Sequence, residues 1–406
     1  MAYNFRFAVT AAAVILGHLA CSSPSTDPIQ GNGGGLPGGT GGTNDGGGSG
    51  GGSNASSGNG GGAGAPVSPA GGAAGSNGGG AGGGVSGSGG NGGAPTAAVS
   101  ELPPVGEGGV PRPAGAAGNF EVLDWAGFQA AVSYTFDDSN SSQIQNYAAL
   151  QALGVPFTFY LQTGKVADSS NPIWGQAVLD GHELGNHTQS HLSTGATIGA
   201  DTDAATAFIE SNFGVTVYTM AAPNGSGDYA DIARTRFLIN RGVNDQQIAP
   251  NGPTDPFNLS CYIPPPNTLA TTFNAKVDAV RTAGNWQVML VHGFTGGSDG
   301  AYQPVALAEF LAGVEYAKGL EDVWIDTLVD VAAYWIAQKL ITAATPTTAD
   351  GATTWTWTLP AHFPPGEFVR VTVDGGTLTQ AGAELPWDDH GYYEVSLDVG
   401  SVTLSP

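Results

Sequence analysis

Gly181-His182-Glu183-Leu184-Gly185-Asn186-His187-Thr188-Gln189-Ser190-His191 is the stretch from which this chain is best read, together with Ser133-Tyr134-Thr135-Phe136-Asp137-Asp138 about fifty residues upstream. Each runs from a short strand-like segment into residues that carry chemistry: two imidazoles four apart in one, two adjacent carboxylates in the other. Imidazole nitrogen and carboxylate oxygen are the ligands of catalytic zinc, whose site keeps a position open for water or substrate. Successive side chains of a strand point to opposite faces, so Asp137 and Asp138 can serve one ligand only if the strand ends there and the turn brings both inward.

Outward from these stretches, short β-like runs alternate with helix-like ones. Strands are expected at Ala131–Phe136, Phe157–Leu161, His182–Asn186, Val215–Ala221, Phe237–Arg241, Gln287–Val291 and Val323–Asp326. Apolar residues recur at helical spacing over Ile144–Leu153, Ile173–Leu179, Ala204–Phe213 and Val305–Lys318, with Gly154, Gly181, Gly214 and Gly319 as stops. Such alternation implies a parallel sheet, and about seven units are enough to curl it into a distorted (β/α) barrel, where chemistry gathers at the carboxyl ends of the strands. Asp137 and Asp138, His187, Pro223 and His292 all follow expected strands. A random scatter of acids and histidines would not respect strand ends.

After Leu340 the periodicity changes to two: Trp355, Trp357 and Leu359 alternate with Thr, and Phe368–Val373 runs into the hairpin signal Asp374-Gly375-Gly376. A small all-β module over 345–406 is expected, packed on the barrel. Its row of Trp355, Trp357, Trp387, Tyr392 and Tyr393 reads either as a surface for sugar rings or, more commonly, as core.

The other end of the chain has no such pattern. Met1–Ala20 has one basic residue and an apolar run from Phe7 to Leu16, as in a secretory signal, and the run is too short to span a bilayer. Cys21 follows Leu19-Ala20 directly and resembles the lipidated cysteine of a bacterial lipoprotein, although His18 departs from the usual aliphatic residue at its position. The expected location is the cell envelope or surface, anchored at Cys21, or otherwise secreted. Residues 21–118 hold most of the 66 glycines and almost no apolar side chains, so they cannot offset the entropy of ordering. At ~5–6 Å × √n such a tether reaches on the order of 55 Å.

Of 406 residues, 34 are acidic and 11 are Lys or Arg, for a formal net charge of −23. Nucleic acid and anionic membranes are bound through Lys and Arg, so neither is an expected partner, and membrane contact is expected only through the lipid. The chain is expected to be a monomer. Cys21 and Cys261 are its two cysteines. A lipidated Cys21 leaves Cys261 unpaired, and a Cys21–Cys261 bridge is the alternative.

The chemistry follows from residue types. Asp138, His187 and His191 are candidate metal ligands, with water completing the set and acidified toward a pKa of ~7. Asp137 beside them is the candidate base, and His292, at the end of Trp286-Gln287-Val288-Met289-Leu290-Val291, the candidate general acid. Taken singly these are weak signals; their joint occurrence, in this order and at strand ends, is much less accidental.

Thr135-Phe136-Asp137-Asp138, His187-Thr188-Gln189-Ser190-His191 and Leu290-Val291-His292 resemble the first, second and fifth motifs of the NodB-homology polysaccharide deacetylases, carbohydrate esterase family 4. The resemblance covers about Phe120–Ala343 and implies a catalytic domain over 119–344, with Asp137 as base, Asp138, His187 and His191 on a divalent ion such as Zn2+, and His292 as acid. It implies a substrate too: an acetylated polysaccharide, either an N-acetylglucosamine polymer or acetylated xylan. By the same resemblance the backbone N–H of Asn224 is an oxyanion donor. The family's third motif has an arginine where Met220-Ala221-Ala222-Pro223-Asn224-Gly225 has Ala221, with Arg241 at the end of the next strand as a replacement. The fourth motif, an acid that tunes the histidine, has Asp245 or Asp326 as candidates.

Two other classes of function compete. A catalytically silent surface glycan-binding protein that has lost the third-motif arginine is one alternative; retention of base and acid together speaks against it. The other is a metal hydrolase of peptide bonds, but its His-Glu-x-x-His pattern is absent, Thr188 standing where the glutamate would be.

Overall fold

The computed structural model describes residues 100–406. The expected signal, Cys21 and the tether up to residue 99 lie outside the described residues. Among the described residues, no helix is long and apolar enough to cross a membrane.

Strand β1 is Glu121–Val122, β2 Ala130–Phe136, β3 Thr158–Leu161, β4 Glu183–Asn186, β5 Thr219–Ala221, β6 Ile239–Arg241, β7 Trp286–Val291 and β8 Val323–Ile325. Strands β2 to β8 form a seven-stranded sheet with the order β6-β5-β4-β3-β2-β7, and β8 pairs with β2. All its ladders are parallel. The expected barrel is a curled sheet rather than a ring of continuous ladders. Between β6 and β7 the gap is bridged by an irregular segment, in which Leu259 meets Arg241 and Tyr262 meets Met289.

The alternation along β2 explains how both faces of the sheet are covered. Tyr134 and Phe136 point to one side, into a cluster with Phe157, Phe159 and Phe310 beneath the outer helices. The intervening Ala131, Ser133 and Thr135 are small, leaving room on the concave side for the helix Leu328–Thr342. That helix and the aromatic Trp286 share one core with Ala131, Tyr160, Val288 and the β module. Buried polar groups there find partners across elements: Trp286 Nε1 donates to Ser133 Oγ at 3.2 Å, and Leu328 N to Thr158 Oγ1 at 2.8 Å. Glu183 accepts from Thr158, Thr219 and Val329 N, joining three strands to the start of the helix.

Ile173–Leu179 is helical as expected, while the pattern over 144–153 splits into Ser141–Gln145 and Tyr147–Gln151. The helix Ile198–Phe213 stops at Gly214, whose φ of 69° lies in the left-handed region glycine favours.

The β module consists of two antiparallel sheets. One holds Phe368–Thr372, Tyr392–Ser396 and Trp387–Asp388, and β1 from before the barrel is its edge strand. The other holds Thr347–Ala349, Ala352–Thr356, Thr377–Gln380, Ala383–Glu384 and Ser401–Ser405. The boundary expected at 118 differs from the folded one, because residues 100–118 lie against this module. Arg370, 1% exposed, donates to Leu102 O at 3.0 Å; Val110 N donates to Asp389 O at 2.7 Å; Gly115 bridges Gly375. A glycine-rich sequence becomes ordered here because its backbone groups find partners on the module, which composition alone does not reveal. The aromatic row is mostly packed inward: Trp357, Tyr392 and Tyr393 are buried, Trp355 stacks on Phe120 at 4.2 Å, and Trp387 meets Tyr393 at 4.9 Å.

Candidate metal and catalytic site

The ladder of β2 ends at Phe136, and the chain turns at once: Asp138 and Ser139 have φ of 74° and 51°. That left-handed turn brings two adjacent carboxylates to one side, which a strand cannot do. His191 and Asn224 also have positive φ, 54° each. Such backbone costs roughly 1–3 kcal/mol per residue and persists only where the surroundings impose it. Here hydrogen bonds do so: Asn186 Oδ1 accepts from Thr188 N at 2.7 Å, and Thr188 Oγ1 accepts from His191 N at 3.0 Å.

Asp138, His187 and His191 each turn one ligand atom into the same spot, all within 4.8 Å of one another. His187 Nε2 is 3.4 Å and His191 Nε2 3.6 Å from Asp138 Oδ1. Ligands at ~2.0–2.2 Å around a tetrahedral ion stand roughly 3.3–3.6 Å apart, so the spacing suits a metal better than direct hydrogen bonds. The tautomer agrees. His187 Nδ1 lies 2.9 Å from the carbonyl of Ala221 and must donate to it, which leaves Nε2 with a free lone pair. The donor set therefore fits a divalent ion.

Asp137 is buried beside this cluster. Its Oδ2 is paired with the fully buried guanidinium of Arg241, while its Oδ1 is buried with no partner. Burial pushes this carboxyl upward, but Arg241, then His187 and His292, outweigh it and hold it below the usual carboxylate range. Arg241 is itself fixed by Gly242 O at 3.0 Å and lies over the Tyr160 ring at 5.6 Å. That ring needs Gly185: a Cβ there would come within 2.3 Å of it.

His292 follows β7 and closes the far side of the same cavity, of about 280 Å3, which Ala222, Asn224, Leu290 and Tyr302 also line. Burial holds its imidazole below the ordinary value, with Asp137 and Asp138 opposing, and its Nδ1 is buried without a partner. Neither acid expected to tune it reaches it. Asp245 pairs with Lys276 at 2.8 Å, and Asp326 accepts from Trp324 Nε1 and Thr327 N. A position near a strand end in sequence does not place a side chain in the cleft when the strand is as short as β8, whose ladder reaches only Val132 of β2. Asn224 is present in the cavity, its side chain donating to Ser193 Oγ at 2.7 Å.

The other described histidines lie elsewhere. His182 accepts from Phe157 N and is pushed to about 4 by burial, a neutral core histidine. His362 bonds Thr235 O and His390 bonds Asp388. Cys261 is fully buried and donates to Gly242 O behind Arg241. Two contributors escaped sequence reasoning: Tyr160, whose phenol gives no motif signal, and the carbonyl of Ala221, which no side chain announces.

The family described as Polysaccharide deacetylase matches residues 128–238. A curated relative, a gellan lyase of a Bacillus species, is 32% identical over 136 residues, which is 31% of this chain and 5% of that protein. The chain thus spans about a twentieth of the length of that relative. Among solved structures, one titled a putative polysaccharide deacetylase from Mycobacterium smegmatis is 19% identical, with a TM-score of 0.41 over 60% of this chain and 98% of that one. A family 4 acetyl xylan esterase from Clostridium thermocellum, in complex with cobalt, is 20% identical, with a TM-score of 0.35 over 50% and 89% of the two chains.

Proposed function

We propose, from the match of residues 128–238 to the polysaccharide deacetylase family of hydrolytic enzymes, that this chain removes acetyl groups from an acetylated polysaccharide with the help of a divalent ion, zinc by preference. The observation that carries the reading is the bare Oδ1 of Asp137, buried beside Asp138, His187 and His191 in the cavity that His292 also lines. A binding module has no use for an ionised carboxylate oxygen held without a partner; a general base has.

Asp138, His187 and His191 would hold the ion, and His187 is oriented for it by the Ala221 carbonyl. When bound, the ion supplies Lewis acidity and a water with a pKa of ~7. Asp137 Oδ1 takes the proton of the attacking water, while Arg241 on Oδ2 keeps the carboxylate ionised and in place. The backbone N–H of Asn224 donates to the developing oxyanion. Negative charge growing in the cleft raises the proton affinity of His292, which then protonates the departing amine or alcohol. Export and anchoring through Cys21 are part of this proposal, supported by the leader-like residues 1–20 and the glycine-rich stretch after them.

The test is acetate release by the full chain, metal-stripped and then zinc-restored, from chitin oligomers and acetylated xylan side by side. Release that depends on metal supports the proposal. Silence on both, from a folded protein that binds zinc, favours a glycan-binding protein without turnover.

A further inference from the structure

The cavity above the candidate site, about 280 Å3, lies at the bottom of the ~300–1,000 Å3 range of ligand pockets. It takes one unit of a polymer, so neighbouring units must lie on its rim. Two of the exposed large hydrophobic residues among the described residues line it: Tyr302, 59% exposed, and Val243. The Tyr302 ring is 5.2 Å from that of His292 and nearly perpendicular to it.

The loop that carries Tyr302 is tied down. Asn140 and Gln143 donate to His292 O at 2.7 and 2.8 Å, Phe294 N donates to Ser142 Oγ, and Asp299 accepts from Ser142 N at 2.7 Å and from Ala301 N. Gly293 and Gly297 press so closely on Ser142 that a Cβ at either would come within 3 Å of it. An exposed aromatic on a fixed loop loses little freedom on binding. The carbon-bound hydrogens of a pyranose face pack on such a ring, while its hydroxyls remain in water.

We propose that Tyr302 is a stacking platform for the sugar ring next to the acetylated unit, which makes a polymer the preferred substrate over a small acetyl compound. This rests on the deacetylase reading. The experiment uses the full chain and compares Tyr302→Ala and Tyr302→Phe with the parent on chitohexaose and on para-nitrophenyl acetate. In parallel, chitohexaose binding is measured by calorimetry in an Asp137→Asn background. The alanine variant should raise KM for the hexamer about tenfold with little change in kcat, lose more on the hexamer than on the ester, and bind about tenfold more weakly, while phenylalanine retains the parent values. Unchanged hexamer affinity, or equal losses on both substrates, would overturn the proposal. Binding that depends on Tyr302 without acetate release from any substrate would overturn the deacetylase reading and leave the platform standing.

Discussion

Asp137 has one oxygen committed to Arg241 and one uncommitted, and the two oxygens divide the work of the residue. Replacing it with Asn preserves shape while removing the proton acceptor, so Asp137→Asn should lose activity about a hundredfold or more with zinc content retained, while its melting temperature falls because the buried Arg241 guanidinium loses its countercharge. Full activity in that variant would remove Asp137 from the base role. His187 has a different dependence, since its lone pair is presented by a hydrogen bond to Ala221 O. His187→Ala should abolish stoichiometric zinc binding, measured by metal analysis after dialysis; zinc retained at one per chain would disprove the ligand set. These residues were legible in the sequence because metal and proton chemistry accept few side-chain types. The positive φ at Asp138, His191 and Asn224 was not, because it depends on how each turn closes, as with the bond from His191 N to Thr188 Oγ1, rather than on residue type.

At the scale of elements, the guanidinium on Asp137 comes from a neighbouring strand. Ala221 on β5 and Arg241 on β6 are direct register partners, and residues opposite one another in a sheet share a face. Removing one partner of a buried pair costs ~3–5 kcal/mol, so Arg241→Ala should fold poorly and lack activity. The double variant Ala221→Arg with Arg241→Ala returns the charge from the adjacent strand and should recover part of both. Recovery of stability alone, with activity still absent, would show that the charge must come from β6. A second test concerns the stretch before β1. Because Arg370 holds the Leu102 carbonyl and Val110 N holds Asp389 O, a chain beginning at 119 should melt several degrees below one beginning at 100. Equal melting temperatures would mean that these contacts contribute nothing.

For the whole molecule, burial of acids predicts how stability depends on pH. Asp326, Asp330 and Glu367 line one cavity with Glu101, Pro156 and Gly181, and Glu183 lines a second with Asp330 and Gly181. Burial pushes Glu183 to about 7 despite its three donors, and burial with Asp330, Asp326, Glu101 and Asp398 nearby pushes Glu367 to about 8. A carboxyl raised in the folded state carries no penalty below its unfolded value near 4.5, and the full penalty once the pH passes its folded value. Stability should therefore fall between about pH 5 and 8.5, and Glu367→Gln should flatten the decline. A melting temperature that rises across this window would contradict the assignment.

The sequence by itself determined the parallel α/β architecture and the β module, because hydrophobic periodicity is a local property. It also determined the two aspartates and three histidines at strand ends, because their chemistry leaves few substitutes. Only the tertiary structure decided that the curled sheet is bridged by an irregular segment, that residues 100–118 are ordered, that Arg241 rather than a residue on β5 holds Asp137, and that neither Asp245 nor Asp326 reaches His292. Each of these depends on which distant backbone and side-chain groups become neighbours, and that is settled by packing rather than by any local preference of the chain.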